Sequence, residues 1–445
     1  MAKAQVPPGP RGNFLFGNFL DFSRDPLGFL SLCAKEYPDV ALMRVGRLNS
    51  YILNNPDHIE EVLVAKSRYF RKDRFLNLRL FRLLLGNGLL TSDGDFWRRQ
   101  RRLAQPAFHR ERIANYARVM VDYTERMLES WREGDERDIH HSFMGLTLEI
   151  VAKTLFDADV RGKAEEVGEA LEVAMDRFAS QGSIVRMLDN FLPTPGRIRY
   201  QRAVRRLEYI IYRFIDEHRQ SGRDAGDLLS MLLAARDEDG SQMSDRQLRD
   251  EVMTIFLAGH ETTALALSWT WYLLALNPDI ERKLMAELDL LSGKAPDITD
   301  LARLSYTERV IKEAMRLYPP AWSIGREAIE ECEIGGYRLP AGTQVYMIQW
   351  TMHRNPRYFE DPEEFRPERW TEDFEKRLPR FAYFPFGGGP RLCIGNSFAI
   401  MEAVLILATI AQRFKLTLAP GQTITPWPSV TLRPKTGIKM MLNGR

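Results

Sequence analysis

Ten residues near the C-terminus, Phe386-Gly387-Gly388-Gly389-Pro390-Arg391-Leu392-Cys393-Ile394-Gly395, constrain this chain more than any other stretch. A glycine-rich loop runs into a cysteine, and an apolar segment at 394–414 follows with helical periodicity. Glycines let backbone N–H groups approach a sulfur closely. A helix start adds unpaired donors and partial positive charge. Both favour thiolate over thiol, so Cys393 is read as a nucleophile or a metal ligand. No base stands near it in sequence to serve a nucleophile. A thiolate on iron, by contrast, pushes electron density toward bound dioxygen and favours O–O cleavage.

A second segment, 244–277, is apolar nearly all round (Val252, Ile255, Phe256, Leu257, Leu265, Leu267, Trp269, Leu273), as a buried helix is. At about 1.5 Å per residue it would run roughly 50 Å. Its middle reads Ala258-Gly259-His260-Glu261-Thr262-Thr263. A glycine beside threonines predicts a local bulge or kink. A buried Glu261 needs either an arginine partner or a task.

The remaining pattern is mainly α, within an α+β class. Residues 40–54 alternate like a hairpin, and 57–293 are mostly helical, with amphipathic helices at 203–219 and 278–291. Residues 193–196, Pro-Thr-Pro-Gly, break two helical stretches. Strands are expected at 332–350 and 416–442, with a proline- and aromatic-rich coil at 353–385 between them. One compact domain over 1–445 is expected.

Composition excludes several classes. Lys+Arg is 62 against Asp+Glu 60, a net charge of +2, which does not suit nucleic acid. The three cysteines, Cys33, Cys332 and Cys393, are far apart, which argues against a disulfide framework or a zinc site and fits a reducing cytosol. The N-terminus has no apolar signal region. The apolar stretches 252–276 and 403–410 are too interrupted or too short for a bilayer. A cytoplasmic monomer with no transmembrane segment is expected.

The loop resembles the Phe-x-x-Gly-x-Arg-x-Cys-x-Gly signature of the cytochrome P450 family. Three further motifs follow in that family's order: Trp97-x-x-x-Arg101, the acid–alcohol pair Glu261-Thr262, and Glu313-x-x-Arg316 with Pro367-Glu368-Arg369-Trp370. The resemblance covers nearly the whole chain and implies a helical fold around a buried haem b with small sheets. It implies that Cys393 ligates the iron, that Phe386 packs near the sulfur, and that Gly395 completes the loop. It implies that Arg391, Arg101 with Trp97, and Arg326 meet the haem propionates, a geometry arginine suits. Thr262 and Glu261 would deliver protons to the distal oxygen. Arg369 would join Glu313 and Arg316 in a structural cluster.

The implied activity is insertion of one atom of O2 into an apolar substrate such as a fatty acid, terpenoid or steroid-like molecule. By analogy the pocket is lined by Ile255, Phe256 and Ala258, by Ala321, Trp322 and Ile324, by Leu83, Leu84 and Leu85, and by Val430 and Leu432. Arg71, Lys72, Arg74, Arg79 and Arg82 could meet a substrate carboxylate. No Rossmann glycine fingerprint is present. Electrons are therefore expected from NAD(P)H through a separate ferredoxin, flavodoxin or reductase, docking on the basic stretch 98–112. Two alternatives stay open: a haem-thiolate peroxygenase or isomerase, and a non-catalytic haem-binding protein.

Overall fold

The computed structural model describes residues 6–46, 48–160, 164–179, 194–222, 226–236, 240 and 242–445. The chain forms two compact units, one of residues 1–81, 316–364 and 369–393, the other of 82–315, 365–368 and 394–445.

The first unit is built on a five-stranded sheet. The expected hairpin is present as Val40–Val45 and Leu48–Leu53, antiparallel with Val40 opposite Leu53. Gly46, at φ +58°, takes the left-handed conformation of its turn. Leu48–Leu53 also pairs in parallel with Gln344–Met347, Ser50 facing Gln344. The sheet continues through Ile324–Ala328 to Phe70–Lys72. Its core includes Val40, Leu42, Leu53, Ile59, Val345 and Met347. Within 332–350, where strands are expected, Cys332–Ile334 and Tyr337–Leu339 make a separate hairpin.

Two arginines brace the aromatic coil. Arg316 donates to the carbonyls of His353 at 2.9 Å, Pro362 at 2.6 Å and Glu364 at 2.9 Å. Arg369 donates to Glu360 O at 2.8 Å, Asp361 O at 3.2 Å and Glu364 O at 3.4 Å. A coil has no ladder of its own, and these guanidinium forks supply its carbonyls with donors. Trp370 is buried against Phe359, Phe374 and Tyr383.

The second unit is helical. Its longest helix, Asp245–Leu276, has 32 residues, opened by a capping box between Ser244 and Gln247. It is α-helical throughout, so the expected bulge is not there. The threonines return their hydroxyls to the preceding turn: Thr262 Oγ1 donates to Ala258 O at 2.8 Å and Thr263 Oγ1 to Gly259 O at 3.4 Å. Gly259 has another purpose. A Cβ there would lie 2.9 Å from Val151 Cγ2, so the missing side chain lets the helix Ile139–Phe156 pack close. Thr147 Oγ1 on that helix donates to His260 O at 2.8 Å.

The helix Pro195–Ser221 buries Tyr200, Ala203, Val204, Leu207, Ile211 and Phe214 along one face, and Thr194 caps its start. The Thr194-Pro195 pair therefore initiates a helix. Pro193 and the stretch before it lie outside the described residues. The other amphipathic helix is Pro278–Leu288, closed by a 3₁₀ turn at Asp289–Leu291. The apolar helix after the cysteine runs Asn396–Ala411 and is buried over most of its length. The tail strands Phe414–Leu418 and Lys439–Gly444 pair with each other, and Glu136–Asp138 adds a third strand.

Candidate active site

On the first unit the loop around Cys393 is fixed by close backbone packing. Gly389, at φ +66°, sits so that a Cβ would come 1.8 Å from Leu63 O. Gly388 lies against the Phe381 ring, and Gly387, at φ +72°, against Ile324. Gly389–Arg391 turn as a 3₁₀ segment, and Cys393 N donates back to Phe386 O at 3.0 Å. The result is a closely packed turn that presents the sulfur. Of the three cysteines, only Cys393 is exposed. Burial pushes the Cys33 thiol up to about 12, aided by Glu36, and burial raises Cys332 also. Both are poorer ligands as a result.

Arg326 is buried in the strand Ile324–Ala328, with Nη1 on Gly325 O at 2.8 Å. Asp73 is an acidic neighbour that sequence reading missed. A Cβ on Gly325 would meet its carboxylate at 1.8 Å, and the charges of Lys72 and Arg326 are among those that offset its burial. The basic residues of the following segment are partly committed. Arg71 and Arg74 pair with buried Glu327 at 3.1 and 3.5 Å.

On the second unit Trp97 and Arg101 share the helix Gly94–Ala104, with Trp97 buried and Arg101 Nε on Gln105 Oε1 at 2.9 Å. Gly395 caps the helix Asn396–Ala411, its N-terminus placed just past the cysteine. Glu261 is 2% exposed and has the partner its burial demands. Arg433 Nε donates to Glu261 Oε1 at 2.7 Å, and the Thr431 hydroxyl donates to the same oxygen. Burial alone would push the Glu261 carboxyl up. The charge and hydrogen bond of Arg433, with Thr431, more than offset that and hold it below the usual carboxylate range.

Thr262 behaves differently from the acid beside it. The central helix is buried almost end to end, yet Ala258 is exposed and Gly259 and Thr262 are half-buried. These positions form an open, uncharged face carrying one hydroxyl. Two residues expected in the pocket wall are core instead. Phe256 is fully buried among Phe156 and Phe214, and Leu432 is fully buried, its carbonyl taken by Trp269 Nε1 at 2.9 Å.

The expected site residues fall on both units: Cys393, Phe386, Arg391 and Arg326 on the first, Glu261, Thr262, Trp97, Arg101 and Gly395 on the second. On the first unit alone the donor set fits a haem: one exposed soft sulfur, with Arg326 and Arg391 for carboxylates. Among the described residues no group of three or more His, Cys, Asp or Glu could hold a bare metal ion. No helix among them is long and apolar enough to cross a membrane.

A family profile described as Cytochrome P450 matches residues 7–441. Cyclooctatin synthase of Streptomyces melanosporofaciens is 40% identical over 427 residues, 95% of this chain and 92% of that protein. Cyclooctat-9-en-7-ol 5-monooxygenase of the same organism is 38% identical, over 95% of this chain and 94% of the relative. Pentalenene oxygenase of Streptomyces avermitilis is 34% identical, over 96% and 95%. Among solved structures, the retinoic acid-bound cyanobacterial CYP120A1 aligns with TM-score 0.88 and 28% identity across 100% of both chains. A cytochrome P450DA heme domain aligns with TM-score 0.90 and 27% identity, over 99% of this chain and 98% of that one. These likenesses run along nearly the whole length, and the chain belongs to the cytochrome P450 family of haem-dependent monooxygenases.

Proposed function

We propose that this monooxygenase hydroxylates a neutral cyclic terpenoid. The observation that carries the reading is the pair of relatives, at 38% and 34% identity, named cyclooctat-9-en-7-ol 5-monooxygenase and pentalenene oxygenase. Two features of the chain agree with it. The open face of the central helix is uncharged at Ala258, Gly259 and Thr262. Arg71 and Arg74, which could have met a substrate carboxylate, are engaged by Glu327. That favours a neutral substrate over a fatty acid.

Haem, when bound, supplies the activation of dioxygen, with electrons drawn through a separate redox protein. Cys393 Sγ is the residue to hold the iron, and its turn keeps it exposed without rearrangement. Arg391, Arg326, and Arg101 beside Trp97 are the residues to neutralise the two haem carboxylates. Thr262 holds a proton at Oγ1, parked on Ala258 O, and can turn it outward without breaking the helix. Glu261 is the acid next to it. Both of its contacts described above use Oε1, so passing on a proton requires either the other oxygen or release from Arg433. A redox partner with an acidic face would dock on the basic stretch 98–112, where Arg98 and Arg102 are exposed.

The test is turnover of the haem-loaded protein with NAD(P)H and a ferredoxin–reductase pair. A polycyclic terpene hydrocarbon and a long-chain fatty acid are offered together. The expected product is the terpene carrying one added oxygen atom. Oxidation of the fatty acid alone would overturn the proposal.

A further inference from the structure

Three consecutive charged residues, Arg249, Asp250 and Glu251, are only 3%, 5% and 1% exposed on the central helix. Burying three charges in a row is costly unless each is paired and each does something. Most of their partners lie at the end of the helix Arg79–Leu85 and in the turn that follows it. Asp250 Oδ2 accepts from Asn87 N at 2.8 Å, and Glu251 Oε2 accepts from Leu89 N at 3.0 Å. Arg249 Nη1 donates to Asp250 Oδ1 at 2.9 Å, and Nη2 to Leu83 O at 3.4 Å and to Glu208 on the helix Pro195–Ser221 at 2.7 Å.

The loop is shaped for this contact. Gly86, at φ +56°, lies so close that a Cβ would be 2.0 Å from Asp250 Oδ1. A Cβ on Gly88 would be 2.2 Å from Thr254 Oγ1 and 2.5 Å from Asp250 O. Two glycines therefore let the backbone lie directly on the helix, and two acidic side chains accept from its amides. Burial pushes Glu251 up to about 8; the Leu89 N–H partly offsets this and Asp250 adds to it. A glutamate is kept here although an apolar residue would avoid that cost.

The helical period connects this clasp to the site. Ile255, Ala258 and Thr262 follow Glu251 at four, seven and eleven residues, so all four share one face. The open positions Ala258 and Thr262 begin about 10 Å along the axis from Glu251. We propose that Asp250 and Glu251 are positioning residues that pin the 83–89 segment, the end of the helix Arg79–Leu85 and the turn after it, across this face, so that the segment forms a fixed wall of the substrate site. The proposal rests on the reading of that face as substrate-bearing, but not on which substrate it takes.

The experiment uses the haem-loaded protein and Glu251→Leu, Glu251→Gln and Gly88→Ala. Glu251→Leu removes the acceptor, Glu251→Gln keeps an amide oxygen in its place, and Gly88→Ala lifts the loop from its own side. Two quantities are read: hydrogen exchange of the 83–92 segment, and affinities of imidazole and of a bulky apolar azole from the Soret shift. Glu251→Leu and Gly88→Ala are expected to speed exchange at 83–92 by about tenfold, the loss of about one hydrogen bond. Exchange at 396–411 should stay unchanged. Affinity for the bulky azole should fall several-fold while that for imidazole holds, and Glu251→Gln should stay near wild type on both readouts. Unchanged exchange at 83–92 would overturn the proposal. So would faster exchange with the azole affinity unmoved, or exchange rising equally throughout the chain. Gly88→Ala supplies the decision if Glu251→Leu does not fold. Failure of the terpenoid reading would show as the wrong turnover product and leave these readouts unaffected.

Discussion

Glu261 and Glu402 are both buried glutamates in helices of the second unit, and their surroundings drive them in opposite directions. Glu261 is held as a carboxylate by Arg433 and Thr431. Because its folded pKa is depressed, the pair contributes stability above the unfolded value of about 4.3, and that stability is lost as pH falls through the folded value. Replacing Arg433 with leucine leaves the charge buried with no countercharge from Arg433 and only the Thr431 hydroxyl bond described above. It should destabilise the protein at pH 7 by about 3–5 kcal/mol, and the deficit should shrink toward pH 5, where the acid can take up a proton. Urea unfolding at the two pH values measures both.

Glu402, fully buried, has no hydrogen-bond partner at either oxygen; the Thr263 hydroxyl is near enough to ease its burial but completes no bond. Burial pushes it up to about 8. A raised acid contributes stability that is fully present below the unfolded pKa and declines as pH rises toward 8. Glu402→Gln should therefore match wild type near pH 4 and exceed it near pH 8 by a few kcal/mol, since each tenfold change in proton affinity is worth about 1.4 kcal/mol. Equal stabilities at pH 8 would contradict this. Cys393, Thr262 and the acid beside it could be read from contiguous motifs. Arg433 could not: it lies 172 residues from Glu261, and nothing local in Leu432-Arg433-Pro434 marks it as the partner of a buried acid.

At the scale of elements, local periodicity carried most of the reading, because a hairpin or an amphipathic helix is specified by neighbours in sequence. The hairpin at 40–54, the long central helix and the apolar helix after the cysteine all emerge where expected. The parallel pairing of Leu48–Leu53 with Gln344–Met347 was not legible, since nearly 300 residues of chain separate the strands and each reads only as a short apolar run. Gly259 misled for a related reason. Its helix-weakening tendency is local, whereas its close contact with Val151 is tertiary and decides the outcome. Gly389 combines a positive φ with a Cβ position only 1.8 Å from Leu63 O, while Gly421, at φ +77°, faces open space. Gly421→Ala should cost only the local strain of about 1–3 kcal/mol. Gly389→Ala should cost more and also speed haem loss, because the Cys393 turn must shift. Equal thermal stability and haem retention in the two variants would refute that role for the loop.

For the whole molecule, family membership is carried by the order of motifs along the chain together with full-length structural likeness. The near-neutral balance of 62 basic and 60 acidic residues names no partner, and the substrate is not encoded in any contiguous motif. Pocket walls come from segments far apart in sequence, which is why Phe256 and Leu432 looked like lining and are core. The central claim is that Cys393 binds haem iron as a thiolate. The most direct measurement is the absorption spectrum of the reduced, carbon monoxide-treated, haem-loaded protein. The red-shifted Soret band of thiolate-ligated haem is expected in wild type and in Cys33→Ser, and is expected to be lost in Cys393→Ser. Absence of that band from the wild-type protein, or its survival in Cys393→Ser, would contradict the claim.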